Sequence, residues 1–166
     1  MKRKFLIAWI LIVLSVSFFS CSSPAKKEEK TSASPKNDLP NITLSNLEGE
    51  SFNAKNLKGN TVLILFRPDC DHCQRESKQI QEHLKAFEDY SLYFISSDIP
   101  QKIKKFSEDY KLGGFENVHF TWAENQGVLT SFGSVPTPSL YVYDNTGKLM
   151  AKFMGETSID VILKSL

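Results

Sequence analysis

Apolar and polar positions divide the chain into three stretches. From Phe5 to Phe19 nearly every position is apolar, broken only by serines, behind the basic "MKRK". The run is too short for a comfortable membrane span and predicts a secretory signal over residues 1–20. The stretch "SSPAKKEEKTSASPKND", Ser22 to Asp38, offers almost nothing to bury. It predicts a disordered tether, spanning roughly 25 Å root-mean-square as a flexible coil. From Leu39 onward the patterns become those of a folded domain, predicted over residues 39–166.

Within that domain, "NITLSNLEGESFNAKNLKG" alternates in short stretches around Gly49, which predicts an opening hairpin. Thr61 to Phe66 is apolar at consecutive positions, the pattern of a central strand covered on both faces. Cys73, Ser77, Ile80, Leu84 and Phe87 recur at spacings of four and three and predict a helix of about four turns, opened by a cysteine pair. Ser91 to Ser97 reads as a second strand. Ile99, Ile103, Phe106 and Tyr110 mark a helix begun at Pro100 and ended by Gly113-Gly114. Val118 to Trp122 predicts a strand, "QGVLTSFG" a short helix or turn, and Ser139 to Asp144 a strand turning through Asn145-Thr146-Gly147 into "LMAKFM". "TSID" reads as a capping box before the stripe Ile159, Ile162, Leu163 and Leu166. Strands alternating with helices, followed by a hairpin and a last helix, predict an α/β fold: a mixed sheet with helices on both faces.

Composition narrows the function classes. At 166 residues the chain suits one domain with a real core. Without Lys2, Arg3 and Lys4 the 20 basic residues fall to 17 against 19 acidic, about −2, and no basic stripe with interleaved aromatics occurs. Nucleic acid is therefore not an expected partner. Cys21 lies where a signal peptidase would cut, after the small Ser20. The stretch resembles a bacterial lipobox, loosely, because Phe18 and Phe19 stand where an aliphatic and a small residue are usual. Lipidation of Cys21 would give a lasting membrane anchor.

The remaining two cysteines form "FRPDCDHC", with Cys70 and Cys73 two residues apart at the predicted start of a helix. Haem attachment needs His after the second cysteine, where Gln74 stands. Zinc needs two more ligands, and His72, His83 and His119 form no second cluster, so no metal is expected. A disulfide across so short a loop would be a poor staple. A dithiol/disulfide couple makes better physical sense. Unpaired N–H groups and the helix dipole favour the thiolate on Cys70, the predicted nucleophile, while Cys73 lies one turn deeper as the resolving thiol.

"LKGNTVLILFRPDCDHCQRE" followed by "VPTPSLYVYDNTGKLMAKFMGE" resembles the thioredoxin-like superfamily, and within it the membrane-anchored TlpA/ResA-type thiol–disulfide oxidoreductases of bacterial envelopes. The resemblance covers Leu39 to Leu166 and implies a thioredoxin-like fold with the hairpin as an N-terminal extension. It implies that Thr137-Pro138 is the family's cis-proline loop beside the cysteines, with Pro136 as rival. It also implies that Glu76, in C-x-x-C-x-x-E, helps proton transfer at the deeper thiol; the alternative is a surface glutamate. Implied partners are protein thiols and disulfides and a membrane electron donor. The implied location is the bacterial cell envelope, facing periplasm or exterior, with no cofactor. The chain departs from the family pattern at Asp69, where Trp is usual before the first cysteine, and at Ile64, where a buried acid or amide is frequent.

Three charged residues around the pair, with Thr137 of the cis-proline loop, are expected to tune it. Protonated His72 near Cys70 would stabilise the thiolate, while Asp69 and Asp71 would oppose it or serve as helix caps. Arg67 is available to pair with either acid. Two rivals remain. A thiol peroxidase of the peroxiredoxin group needs P-x-x-x-T-x-x-C, where this chain has Leu63 and Arg67. A non-catalytic metal-delivery module would use both cysteines and a histidine.

Overall fold

The computed structural model describes residues 37–166, so the predicted signal sequence, Cys21 and nearly all of the tether lie outside the described residues. The apolar run becomes β3 (Asn60–Leu65), buried from Thr61 onward. Around it stand β1 (Thr43–Asn46), β2 (Ser51–Asn53), β4 (Tyr90–Ser96), β5 (Val118–Trp122), β6 (Ser139–Tyr143) and β7 (Leu149–Met154). They form one seven-stranded sheet in the order β2-β1-β5-β4-β3-β6-β7. β3, β4 and β5 run parallel, and β6, β7, β1 and β2 pair antiparallel, so the sheet is mixed as expected.

Alternation along the strands sends side chains to two cores. Val62, Ile64, Phe94, Phe120, Leu140 and Val142 face α1 (Asp71–Glu82), α2 (Pro100–Asp109) and α4 (Ile159–Leu163), which contribute Ile80, Ile103, Phe106, Ile159 and Ile162. Leu63, Leu65, Ile95, Tyr141 and Tyr143 face the opening segment, through Leu39, Ile42, Leu44 and Ala54, and α3 (Asn125–Phe132). Ile64, at the family's buried polar position, is thus an ordinary core residue. Phe66, the first residue past β3, joins the first core with ring centroids 4.7 Å from Phe106, 5.8 Å from Phe94 and 5.9 Å from Phe120. Burying each such ring contributes roughly 1.5–3 kcal/mol. That cluster underlies the turn carrying the cysteines.

Three helix ends differ from expectation. The four-turn stripe is real, but α1 stops at Glu82, and Leu84–Phe87 continue the same face as a 3-10 turn that buries Phe87. The glycine pair does not end α2. Lys111 does, at φ 54°, with Leu112 and Gly113 both donating to the Ser107 carbonyl. No capping box forms at α4, because Ser158 makes no side-chain cap bond. Side chains of α1 take over that work.

The domain begins against the β6–β7 turn. Asp38 N–H donates to the Gly147 carbonyl at 2.7 Å, and Lys55 Nζ donates to the carbonyls of Asn37 and Leu39 at 2.5 and 2.9 Å. Thr61 pairs with Tyr143 and Leu65 with Ser139, which puts that turn at one end of β3 and the cysteines past the other. Among the described residues no helix is long and apolar enough to cross a membrane.

Candidate active site

The chain leaves β3 through Phe66, whose N–H still bonds the Ile95 carbonyl, and turns over Arg67-Pro68-Asp69 so that Cys70 N–H reaches the Arg67 carbonyl at 3.1 Å. Cys70 then takes the N-cap position of α1 with extended backbone, φ −100° and ψ 113°. Its sulfur accepts the N–H of Cys73 at 3.3 Å, the bond a capping oxygen would ordinarily accept. Neither Asp69 nor Asp71 caps the helix. Partial burial pushes the Cys70 thiol up, but hydrogen bonds from Cys73, Thr137 and the His72 N–H outweigh it, leaving the thiol below its usual value. A sulfur in a capping position is stabilised as an anion by the helix it caps.

Cys73 is 1 % exposed. Burial, and then its contact with Cys70, push its thiol up to about 12. Both cysteines are free thiols. Across from them the Thr137–Pro138 peptide is cis, which answers the choice between Pro136 and Pro138. Cys70 Sγ donates to the Thr137 carbonyl at 3.5 Å, and Thr137 Oγ1 lies 4.0 Å from the same sulfur.

Glu76, one turn beyond Cys73, is 2 % exposed, which removes the surface alternative. Its Oε2 accepts Thr157 N–H at 2.9 Å, and its Oε1 is buried without a hydrogen-bond partner. Burial raises its pKa to about 7, offset in part by the Thr157 N–H and reinforced by the charge of Glu156. One turn on, Gln79 Oε1 accepts Ile159 N–H at 3.0 Å. Glu76 and Gln79 thus satisfy N–H groups where α4 begins.

The tuning residues are placed differently from expectation. His72 reaches Cys70 only through its backbone N–H; the imidazole turns outward, its Nδ1 2.5 Å from Glu156 Oε2 and 2.7 Å from Arg75 Nη2. Asp69 pairs with Lys102 at 2.6 Å and not with Arg67. Asp71 occupies the first turn of α1, where the dipole favours an acid. Two residues with no signal in sequence complete the site. Glu156, following β7, receives Arg75 Nε at 2.8 Å and Nη2 at 2.5 Å, which hold its carboxyl down to about 2, with help from His72.

Beside the cysteines an open groove is lined by Arg67, Ser97, Asp98, Ile99, Leu129 and Thr137 among others, with Ile99 and Leu129 well exposed. Among the described residues no group of three or more histidine, cysteine or acidic side chains could hold a metal ion.

Residues 35–152 match the AhpC/TSA family. The chain belongs to that family. Among relatives of this AhpC/TSA protein, the thiol-disulfide oxidoreductase ResA of Bacillus cereus is 25% identical over 166 residues, covering 94% of this chain and 91% of the relative. Of solved structures, dsbF of Mycobacterium tuberculosis superposes with a TM-score of 0.66 at 19% identity, covering 78% of this chain and 95% of that one. StoA of Bacillus subtilis gives 0.56 at 16% identity, covering 76% and 92%. The superpositions establish the thioredoxin-like fold of this family member, and the relatives support a redox enzyme.

Proposed function

We propose that the protein is an envelope thiol–disulfide oxidoreductase that works through the Cys70-Asp71-His72-Cys73 couple in the reducing direction, lipid-anchored at Cys21 and recharged by a membrane electron donor. The observation that carries the reading is the pair's asymmetry: Cys70 half-exposed and favoured as thiolate, Cys73 buried and held as thiol. In the first step Cys70 thiolate attacks a disulfide of the visiting protein, forming a mixed disulfide and releasing one substrate thiolate. Cys73 then loses its proton and attacks Cys70 Sγ. This closes the Cys70–Cys73 disulfide, releases the second substrate thiolate and transfers two electrons in all.

Glu76 takes the Cys73 proton. A carboxyl group with a pKa near 7 is matched to that exchange, and Oε1 is free to accept. Neither carboxylate oxygen bonds Cys73 in the dithiol form, so the transfer requires the carboxyl to rotate or solvent to enter. The Thr137 carbonyl lies beside the reacting sulfur, where an extended substrate backbone can pair with Thr137, and the groove with Ile99 and Leu129 receives apolar side chains flanking the substrate cysteine.

The metal-delivery reading needs a histidine beside both cysteines, and the His72 ring instead turns outward to Glu156. The peroxidase reading meets a buried strand residue at Leu63. Cys70→Ser is expected to abolish insulin reduction, and retained reduction would rule the mechanism out. The reduction potential decides direction: a value near thioredoxin's, about −270 mV, marks a donor, and one near about −120 mV an oxidant.

A further inference from the structure

Three consecutive residues after β7 each touch a different part of the site. Gly155 N–H donates to the carbonyl of Pro138 at 2.8 Å, Glu156 takes Arg75 and His72, and Thr157 N–H donates to Glu76. The first bond holds the cis-proline loop, and the last holds the buried carboxyl. Between them Glu156 ties the loop to the first turns of α1 through three side-chain bonds.

We propose that Glu156 is a positioning residue for the redox reaction: clamped by Arg75 and His72, it fixes the Gly155–Thr157 loop so that Glu76 stays in place for the Cys73 proton. The proposal rests on the reading of Glu76 above. The bidentate Arg75 pair gives the clamp direction as well as attraction, since two parallel N–H···O bonds fix the carboxylate plane. His72 adds a second mode. Its Nδ1 faces an acceptor, Glu156 Oε2, and a donor, Arg75 Nη2, and a single nitrogen serves one at a time. With a proton on Nδ1 it donates to Glu156, and without one it accepts from Arg75. The clamp closes either way, with Arg75 Nε holding Oε1 throughout. The charged neighbour acting on Glu76 is this same Glu156, so its removal changes both the hold on the loop and the field at the carboxyl.

The test uses the reduced full-length protein with Glu156→Gln and Arg75→Met, the second leaving the Glu156 charge in place. Amide hydrogen exchange should quicken at Gly155 and Thr157 in both variants, by about tenfold or more, while amides of β3 and β4 keep their protection. In Glu156→Gln the Glu76 carboxyl, followed by its carbon-13 shift, should titrate lower, because a looser loop lets water in and a repelling charge is gone. Release of the second substrate thiolate should slow, with the Cys70 alkylation rate little changed. Unaltered exchange at Thr157 together with an unmoved Glu76 titration would overturn the proposal. Because neither measurement depends on turnover, that result is distinct from a failure of the oxidoreductase reading, which wild-type inactivity alone would reveal.

Discussion

The two ends of β3 are built on opposite terms. At the Thr61 end, where the domain begins, the polar groups find partners: Asn37 donates to the Lys55 carbonyl and accepts Leu39 N–H, Lys55 binds two carbonyls, and Asp38 receives Leu149 N–H. At the Leu65 end, polar groups are buried in excess of their partners. Cys73 is enclosed as a thiol, Glu76 Oε1 has no bond, and a sulfur caps a helix where an oxygen would ordinarily stand. Satisfied groups stabilise a fold; at the reactive end burial lifts Glu76 to about 7 and the Cys73 thiol to about 12, while hydrogen bonds bring the Cys70 thiol below its usual value.

Cys73→Ser should break the reactive end outright. Turnover falls to background and the mixed disulfide through Cys70 accumulates, visible by mass spectrometry; a variant that still cycles would sink the two-step scheme. The next effect is thermodynamic. Glu76 binds its proton more tightly folded, with a pKa of about 7, than unfolded at 4.5, so the folded chain holds the extra proton between those values. Stability is therefore present below that window and is lost as pH rises through it, on the order of 3 kcal/mol in all. The stability difference between wild type and Glu76→Gln should move by that amount between pH 4 and 8 in urea titrations. A constant difference contradicts it.

At the opposite end, Gly147 has φ +80°, and a Cβ there would lie 2.6 Å from Asn37 Oδ1. Gly147→Ala should cost about 1–3 kcal/mol in stability while leaving the pH profile of Cys70 alkylation unchanged. A shift in that profile would show that the two ends communicate. The smallest effect is expected from Lys102→Met. It leaves Asp69 uncompensated beside Cys70 and should raise the alkylation midpoint by less than about one unit, with high salt erasing the difference.

Most of the sheet was legible because its strands follow from local alternation and from runs such as Thr61 to Leu65. Helix ends were not. Lys111 ends α2 through its own left-handed backbone, and at Ser158 contacts distant in sequence decide: Gln79 and Glu76, not Ser158, supply the bonds at the start of α4. Among the expected site residues, Cys70 and Cys73 lie side by side, Glu76 is buried and Pro138 follows a cis bond, placements that spacing and motif order pointed to. His72 was assigned to the thiolate on proximity in sequence, but its ring bonds a residue 84 positions away. Glu156 and Arg75, 81 positions apart, leave no local pattern, since an ion pair between a helix and a distant loop has no period.

The placement of Asp38 against Gly147 also sets the molecule's heading. Six residues of β3, roughly 20 Å, lie between that corner and the turn leading to the thiols. A protein docking on Cys70 therefore leaves uncovered the corner where the described chain begins.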